Sequence, residues 1–243
     1  MRARGEGDVM AVERQSRTAM LVGEEGLARL ARARVAVFGL GGVGGYTVEA
    51  LVRAGVGALD LCDPDTVSES NRNRQILALS STVGKHKTEV AAARAREISP
   101  EVEIRLFSIP FSAETADQFD FSRYDYVVDA IDTVSAKLEL IRRAKAVNVP
   151  IICAMGTGNR LSSKGFTVID LEKTTGCPLA RTMRALCRRE GLRHVRVLYS
   201  PAPALRVTLP EEHGRHAPGS ISYVPAIAGL MLAEEVVRYL LQE

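Results

Sequence analysis

A cluster of glycines and an acidic residue behind it could together bind a nucleotide. The segment GLGGVG places Gly39, Gly41 and Gly44 in the spacing G-x-G-x-x-G, with Gly42 in the same turn, between a predicted strand and a predicted helix. Glycines let the backbone approach a phosphate, and the N-terminus of the helix supplies N–H donors. Asp63 follows Gly44 by nineteen residues. That spacing suits a carboxylate that accepts hydrogen bonds from the hydroxyls of a ribose.

Cations and acids further along the chain indicate which nucleotide is bound. The glycine motif by itself is typical of NAD-dependent enzymes, and a tight turn without a ligand is the simplest alternative. Asn71, Arg74 and Lys87 follow within one stretch, and Asp129 and Asp132 come at the end of a later predicted strand. A triphosphate needs mobile cations around it, and a carboxylate that faces phosphates is a natural Mg²⁺ ligand. We therefore predict that the protein binds ATP and Mg²⁺ rather than NAD. We also predict that Arg74 and Lys87 belong to this nucleotide site rather than to a solvated helix face.

The elements that must position these residues alternate along the chain. Strands and helices follow one another over 35–155, which is typical of a parallel, doubly wound sheet. The predicted fold class is α/β and Rossmann-like, with helices on both faces of a mostly parallel sheet and a more irregular C-terminal half. Such sheets bind ligands in the crevice outside the carboxyl ends of their strands. The predicted strands are 35–38, 59–62, 102–109, 124–132, 150–156, 166–174 and 195–200.

Helices are predicted between these strands and at both ends of the chain. In the first of them, Leu21, Leu27 and Leu30 are expected on the apolar side. Residues 201–222 form a long loop, and loops of this length are usually functional or mobile. The predicted helices are 18–32, the segment from the glycines to about residue 54, 83–100, 134–146, 178–190 and the C-terminal segment from 224.

Length, charge and hydropathy suit a soluble protein. The chain has 243 residues, 46% of them hydrophobic, and a formal net charge of +3. We predict a single adenylating domain over 1–243, with 1–12 disordered, a nucleotide-binding core at 34–155 and a half at 156–243 that serves the substrate and a dimer. The N-terminus shows no apolar signal segment and no apolar run is long enough to span a bilayer. We therefore expect a cytoplasmic protein with no membrane partner.

The four cysteines form no C-x-x-C pair and no close Cys/His quartet, so a structural zinc site is not expected. Cys62 and Cys153 fall within apolar strand patterns and are predicted to be buried and inert. Cys177 and Cys187 stand among polar residues and are expected to be available for reaction. No base is recognisable beside either of them, so we predict that both are dispensable for the chemical step.

Several motifs resemble those of the ThiF/MoeB-like superfamily, the enzymes that adenylate the C-terminus of ubiquitin-like proteins and sulfur carriers. The segments GLGGVG, D-x-D-x-V, N-x-x-R-Q and VG-x-x-K occur in the order and at the spacing of that family. The resemblance implies an ATP site in which Asp63 binds the ribose and Asp132 holds Mg²⁺. It also implies that the phosphates are bound by Asn71, Arg74 and Lys87.

The segment RQSR at 14–17 is similar to the R-x-x-R-Q of the same family, whose second arginine reaches into the ATP site of the partner subunit. Arg17 matches that arginine, with Thr18 in place of the usual glutamine. The resemblance therefore implies a homodimer in which Arg17 takes part in catalysis together with Arg74, Lys87 and Asp132.

Motifs over nearly the whole chain resemble one branch of this superfamily, the tRNA threonylcarbamoyladenosine dehydratases. They are NRQILALSSTVGKHK, DAIDTVSAKLELI, GTGNRL, PLARTMR and PGSISYVPAIAGLMLAEEVVRYL. The resemblance implies ATP-dependent cyclisation of N6-threonylcarbamoyladenosine at position 37 of tRNA, by adenylation of the threonine carboxylate and intramolecular ring closure. The alternatives are an adenylyltransferase for a ubiquitin-like sulfur carrier, and a nucleotide-binding adaptor that recruits a partner through 198–222.

A tRNA substrate would require a basic surface. The segment 180–197 is rich in arginine and contains a single acid, Glu190. A solvated helix face is the ordinary explanation of a charged run, but this excess favours contacts with phosphates. The sequence leaves open whether a monovalent cation, Na⁺ or K⁺, orders the GTGN segment at 156–159 and whether a sulfur-transfer accessory protein docks. The candidate tRNA contacts are Arg160, Arg181, Arg184, Arg188 and Arg189.

Overall fold

The computed structural model describes residues 13–206 and 218–242, so the predicted disorder of 1–12 and part of the predicted loop lie outside the described residues. The strands are β1 (Arg34–Phe38), β2 (Ala58–Cys62), β3 (Glu103–Phe107), β4 (Tyr126–Asp129), β5 (Ile151–Ala154), β6 (Thr167–Asp170) and β7 (Arg196–Tyr199). The helices are α1 (Ser16–Arg32), α2 (Gly44–Ala54), α3 (Lys87–Ile98), α4 (Val134–Ala146), α5 (Pro178–Arg189) and α6 (Tyr223–Leu241). Short 3-10 turns cover Glu69–Asn71, Ala116–Gln118, Phe121–Arg123 and Leu171–Lys173.

The seven strands form one sheet in the order β3-β2-β1-β4-β5-β7-β6. All neighbouring strands are parallel except β6, which runs antiparallel to β7. From β1 the chain first builds towards β3 and then returns to place β4 on the other side of β1. This reversal makes the β1/β4 boundary a topological switch point, where open α/β sheets bind their ligands. The predicted fold class is confirmed.

The register of the sheet aligns the ends of three strands. Phe38 in β1 is paired with Cys62 in β2 and with Asp129 in β4. The residues that follow, Gly39 and Asp63 among them, therefore leave the sheet side by side at its carboxyl edge. The sheet thus brings together segments that are far apart in the sequence.

Apolar cores cover both faces of the sheet. On one face α1, α2, α3 and α6 pack side chains such as Leu51 and Leu232 against the strands. On the other face α4, α5 and the segment after β3 contribute Phe121, Ile141 and Met183. Strands covered on both faces have no solvent-facing positions, which is why β1, β2, β4 and β5 appear in the sequence as nearly continuous apolar runs.

Two predicted helices differ from the observed ones. Gly23 interrupts α1 with a φ of 69° and a ψ of 177°, so the turn before it leaves the core and the side chain of Leu21 is 88% exposed. The prediction that Leu21 faces the core is therefore wrong. The helix predicted to begin at 83 begins at Lys87, because Gly84 adopts a left-handed φ of 85° that an α-helix cannot continue. Among the helices of the described ranges, none is long and apolar enough to cross a membrane.

Candidate nucleotide-binding site

An open cleft of about 560 Å³ lies at the switch point, where β1, β2 and β4 end. Its walls come from the turn after β1, the segment after β2, the start of α3 and the turn between β4 and α4. The structure thus gathers the residues that the sequence predicted for a nucleotide, and they include Gly39, Gly41, Gly42, Asp63, Asn71, Arg74, Lys87 and Asp132.

The glycine turn is built from positions where a side chain would collide with the backbone. Gly39 has a φ of 88°, and a Cβ on it would lie 2.6 Å from the carbonyl oxygen of Ala130. A Cβ on Gly44 would lie 1.8 Å from the carbonyl oxygen of Gly39. At Gly41 the nearest atom to such a Cβ is 3.9 Å away, so this part of the turn is open to the cleft. A phosphate could therefore approach the backbone at Gly41.

Asp63 has the setting expected of a carboxylate that binds hydroxyl groups. It is 5% exposed, and its Oδ2 atom accepts a hydrogen bond from the backbone N–H of Leu40 at 2.6 Å. Its Oδ1 atom accepts from the N–H of Asp65 at 2.9 Å. Each carboxylate oxygen has a further lone pair, so Asp63 is held in place and still has acceptor capacity towards the cleft.

Lys87 and Arg74 supply positive charge on the same wall. The ammonium group of Lys87 lies 2.7 Å from Asp65 Oδ2 and 3.6 Å from Asp63 Oδ1, and the residue is 5% exposed. Arg74 donates to the carbonyl oxygen of Ser70 at 3.0 Å, and burial lowers its pKa. Within the described residues Arg74 has no carboxylate partner, so its guanidinium remains available to an anion.

Asn71 combines a structural contact with a place in the cleft wall. Its side-chain oxygen accepts from the backbone N–H of Ser68 at 3.1 Å, which closes a capping box around the 3-10 turn. Asn71 is predicted to bind phosphates, and its remaining amide donor is consistent with that role.

The two acids after β4 have opposite surroundings. Asp129 has no exposed surface, and its Oδ2 atom accepts from the ammonium of Lys137 at 2.9 Å. Asp132 is exposed at the mouth of the cleft, and it accepts a hydrogen bond from the Thr133 hydroxyl at 3.3 Å. Asp129 is therefore occupied by an internal cation, whereas Asp132 is free to bind a ligand.

Three residues of this region were not assigned a role from the sequence. Asp65 pairs with Lys87, Phe111 lines the cleft, and Lys137 neutralises Asp129. Gln75 is 7% exposed on the cleft wall, and its side-chain oxygen has no hydrogen-bond partner within the described part of the chain. The helical spacing of Lys137 with Leu140 and Ile141 could have indicated that this lysine faces the core.

The predicted tRNA-binding arginines fall into two groups. Arg181, Arg188 and Arg189 on α5 are exposed, and they form no ion pair among the residues that the structure describes. Arg184, on the same helix, is half-buried and donates to the hydroxyl of Thr174. Gly176, two residues before α5, packs on the backbone of Pro201, which follows the C-terminal end of β7. Helix α5 therefore begins at the carboxyl edge of the sheet, the edge where the cleft also opens.

Arg160 differs from the surface role predicted for it. It is 8% exposed, and its guanidinium donates to the carbonyl oxygen of Ala202 at 2.7 Å and to the hydroxyl of Ser200 at 3.3 Å. The backbone N–H of Asn159 beside it donates to the carbonyl oxygen of Gly219 at 2.7 Å. These contacts tie the GTGN segment to the chain after β7, so Arg160 stabilises this region from inside and is not a surface contact.

The cysteines are all buried. For Cys62 and Cys153 this confirms the predicted burial. For Cys177 and Cys187 it corrects the expectation of accessible thiols, because Cys177 at the start of α5 and Cys187 within it face the core at 4% and 3% exposure. Burial, followed by the charge of Glu190, raises the pKa of Cys187 to about 11. A protonated, buried thiol is a poor nucleophile.

Arg17 lies on the exposed turn that precedes the bend at Gly23. Two residues earlier, the side chain of Gln15 donates to the carbonyl oxygen of Arg53 at 3.2 Å and lies against Gly55. Arg53 and Gly55 are at the C-terminal end of α2, whereas the cleft is at its N-terminal end. Helix α2 has eleven residues and is therefore about 16 Å long. Arg17 thus lies near the end of α2 that is remote from the cleft of its own chain.

The chain is similar to several known proteins. The sequence profile of the ThiF family matches residues 13–243. The tRNA threonylcarbamoyladenosine dehydratase of Bacillus subtilis is 37% identical over 240 residues, which cover 94% of each chain. The enzyme of the same name from Escherichia coli is 40% identical over 167 residues, covering 69% of this chain and 62% of that protein.

The fold of the chain is also similar to solved structures of the same E. coli protein. The crystal structure of E. coli tRNA N6-threonylcarbamoyladenosine dehydratase, TcdA, in complex with ATP has a TM-score of 0.87 and 32% identity, and the match covers 99% of this chain and 98% of that one. The complex of that protein with AMP has a TM-score of 0.86. The sulfur carrier protein adenylyltransferase of Thermus thermophilus is 35% identical over 131 residues, which cover 54% of this chain.

Proposed function

We propose that this chain, which belongs to the ThiF family, is an ATP-dependent dehydratase that cyclises N6-threonylcarbamoyladenosine at position 37 of tRNA. The observation that carries the proposal is the cleft at the switch point. It combines an open glycine turn, a fixed ribose acceptor in Asp63, and the cations Arg74 and Lys87. The relatives named as tRNA dehydratases match most of this chain, whereas the sulfur-carrier adenylyltransferase matches about half of it.

The reaction divides a difficult step into two easier ones. A carboxylate oxygen of the threonine group attacks the α-phosphorus of ATP, the bond to the bridging oxygen breaks, and pyrophosphate leaves. The ureido group of the same side chain then attacks the acyl carbon, loses a proton and closes the ring. AMP departs with the former carboxylate oxygen, so the net change is the loss of one water from the nucleoside at the expense of ATP. Ring closure is intramolecular and gains effective concentration without an enzyme nucleophile.

The cleft residues have separable tasks in this scheme. Asp63 accepts hydrogen bonds from the ribose hydroxyls, and the N–H groups of the glycine turn approach the phosphates. Asn71, Arg74 and Lys87 bind the triphosphate and stabilise the charge that develops as pyrophosphate leaves.

The donor set also fits Mg²⁺. No group of three or more His, Cys, Asp or Glu side chains that could hold a metal forms within 13–206 and 218–242. Asp132 is an exposed carboxylate of the cleft wall that pairs with no cation in the described ranges, so it is suited to an ion that takes its other ligands from phosphate oxygens and water, as Mg²⁺ does. When bound, Mg²⁺ would neutralise charge on the triphosphate and polarise its phosphorus–oxygen bonds.

The burial of the cysteines argues against a mechanism in which an enzyme thiolate receives the acyl group, as in the sulfur-carrier and ubiquitin type of transfer. A thiolate that receives an acyl group must be exposed and ionised. Cys177 and Cys187 are in the core, and burial raises the pKa of Cys187 to about 11. A reaction in which the substrate supplies the attacking group needs no such thiolate.

The tRNA is proposed to bind along α5. Arg181, Arg184 and Arg188 follow one another at intervals of three and four residues, which places them on one side of the helix. Helix α5 begins at the carboxyl edge of the sheet, where the cleft opens. This row of three arginines therefore extends from the cleft along the helix. Arg189 extends it at the far end. A monovalent cation at the GTGN segment stays a hypothesis from the sequence.

A homodimer is proposed because Arg17 cannot serve its own cleft from its position. Met20 and Leu21, on the same exposed turn, are 77% and 88% exposed and would be buried by a second copy of the chain. In a dimer with a two-fold axis, Arg17 of each subunit would reach the cleft of the other subunit.

Mass spectrometry of tRNA nucleosides from cells that lack this protein tests the proposal. The cyclic form of threonylcarbamoyladenosine should disappear and the open form should accumulate. Complementation with the wild-type gene should restore the cyclic form, whereas the Asp132→Asn gene should not. Persistence of the cyclic nucleoside at its normal level would refute the assigned substrate and would favour the sulfur-carrier alternative.

A further inference from the structure

A buried ion pair lies directly behind the candidate site. Lys137 is fully buried in α4, and its ammonium donates to Asp129 Oδ2 at 2.9 Å and to the carbonyl oxygen of Ala154 at 2.7 Å. Asp129 is the last residue of β4 and Ala154 the last of β5. One side chain therefore joins the ends of two neighbouring strands at the edge of the sheet where the cleft opens.

A further contact links this pair to the wall of the cleft. The other oxygen of Asp129 accepts from the backbone N–H of Ile131 at 3.1 Å. The turn from Ala130 to Asp132 lines the cleft and packs so closely on the glycine turn that a Cβ on Gly39 would lie 2.6 Å from the Ala130 carbonyl oxygen. A change in the direction of the Asp129 side chain would therefore displace Asp132.

The burial of this pair points to a role beyond holding the fold together. Two buried charges lose their hydration, and an apolar pair of similar size commonly stabilises a core at least as well. Here the charges lie where two strands end beside a phosphate-binding turn. The pair also neutralises Asp129, so that of the two acids after β4 only Asp132 is left to face the cleft.

We propose that Lys137 is a positioning residue of the adenylation site, which acts through Asp129 and the turn after β4 to direct Asp132 towards the metal. The inference rests on the proposed function, because it assumes that the cleft binds a metal–nucleotide complex. It does not depend on tRNA being the substrate.

The test measures metal binding in the absence of tRNA. The double variant Asp129→Asn, Lys137→Met removes both charges, so no uncompensated charge is left in the core. Titration of Mn²⁺ into the full-length protein with a non-hydrolysable ATP analogue should give a dissociation constant for Mn²⁺ at least tenfold above that of the wild type. Binding of the analogue without metal should change less than twofold. The control is Lys145→Met, a lysine on the same helix that donates to the carbonyl of His194.

A second measurement separates positioning from a general structural role. In the Asp132→Asn background, adding the double variant should weaken Mn²⁺ binding no further, because Lys137 acts through Asp132. Additive losses would overturn the proposal, as would unchanged Mn²⁺ affinity in the double variant. Should the double variant fail to fold, Asp129→Asn, Lys137→Gln carries the test, because it also removes both charges but keeps polar groups in the core; at least threefold weaker Mn²⁺ binding is expected, and unchanged binding would contradict the proposal. A wild-type protein that binds neither nucleotide nor Mn²⁺ would overturn the proposed function as well.

Discussion

Asp132 is exposed, accepts a weak hydrogen bond from the neighbouring Thr133 hydroxyl and lines the proposed triphosphate site, so its chemistry can be tested separately from the fold. We predict that Asp132→Asn lowers the rate of pyrophosphate release with modified tRNA by roughly a hundredfold or more, the range seen when one charge-stabilising group is removed. The free energy of unfolding should change by no more than about 0.5 kcal/mol, as expected for an exposed position. A coupled pyrophosphate assay and thermal unfolding measure the two quantities.

A matched control for this prediction is Glu97→Gln, which removes an exposed carboxylate of α3 outside the cleft. Its turnover should equal that of the wild type. Normal turnover in Asp132→Asn at saturating Mg²⁺ would show that the metal is held elsewhere.

The cysteines give the opposite prediction, that of an unchanged reaction. Because Cys177 and Cys187 are buried and the proposed ring closure needs no enzyme nucleophile, the double variant Cys177→Ala, Cys187→Ala should form the cyclic nucleoside within roughly tenfold of the wild-type rate, or about 1.4 kcal/mol in barrier. Alanine is chosen because a buried cysteine behaves as a small apolar residue. If the rate fell a thousandfold in a folded variant that still binds ATP, the result would favour a mechanism with a covalent acyl-enzyme.

The raised pKa of Cys187 adds a pH dependence with a definite sign. A thiol whose pKa is about 11 in the folded protein is protonated at neutral pH. Its contribution to the free energy of unfolding is therefore fully present below the pKa of the unfolded chain, near 9, and is lost as the pH rises towards 11. The melting temperature should fall across this range, and it should fall less in the Cys187→Ala variant.

At the scale of elements, α5 is a helix whose exposed cations lack acidic partners within the described ranges. We predict that Arg181→Gln, Arg188→Gln, Arg189→Gln raises the KM for tRNA at least tenfold at physiological salt. Three lost contacts to single-stranded phosphates should reduce the salt slope of tRNA affinity by about 2. Nucleotide affinity should be unchanged, because the helix packs outside the ATP cleft. Filter binding at several salt concentrations measures the slope.

The control for α5 removes the same charge elsewhere, as Arg32→Gln, Arg96→Gln, Arg123→Gln, three exposed arginines outside this helix. Equal loss of tRNA affinity in both triple variants would mean that net charge alone attracts the tRNA and that α5 is an ordinary solvated face.

Most elements could be predicted from the sequence because their signals are local. Continuous apolar runs predict strands covered on both faces, and glycines with Asp63 at a fixed spacing predict the turn at the end of β1. The start of α3 was missed since the left-handed Gly84 delays it to Lys87. The burial of Arg160 depends on Ser200 and Ala202, which reach it only once β7 has joined the sheet. Contacts of that kind are set by tertiary packing and leave no pattern in the nearby sequence.

At the scale of the whole molecule, the position of Arg17 decides how many chains make one site. Gln15 fixes the start of α1 against the C-terminal end of α2, the far side from the cleft of the same chain, and Met20 and Leu21 expose an apolar surface beside it. An Arg17 that acts at all in adenylation should therefore act in the cleft of a partner. Such a site contains Lys87 from one chain and Arg17 from the other.

We predict that Arg17→Ala and Lys87→Ala are each nearly inactive and that an equal mixture of the two recovers activity. Random exchange makes half of the dimers mixed, and each mixed dimer has one site with both groups intact, so about a quarter of wild-type turnover should return. The control is a mixture of Lys87→Ala with Asp132→Asn, whose residues line the same cleft of one chain and so restore no intact site. Recovery in this control would indicate subunit sharing of a different kind. No recovery in the first mixture, with exchange verified by mass, would contradict the action of Arg17 in the cleft of a partner.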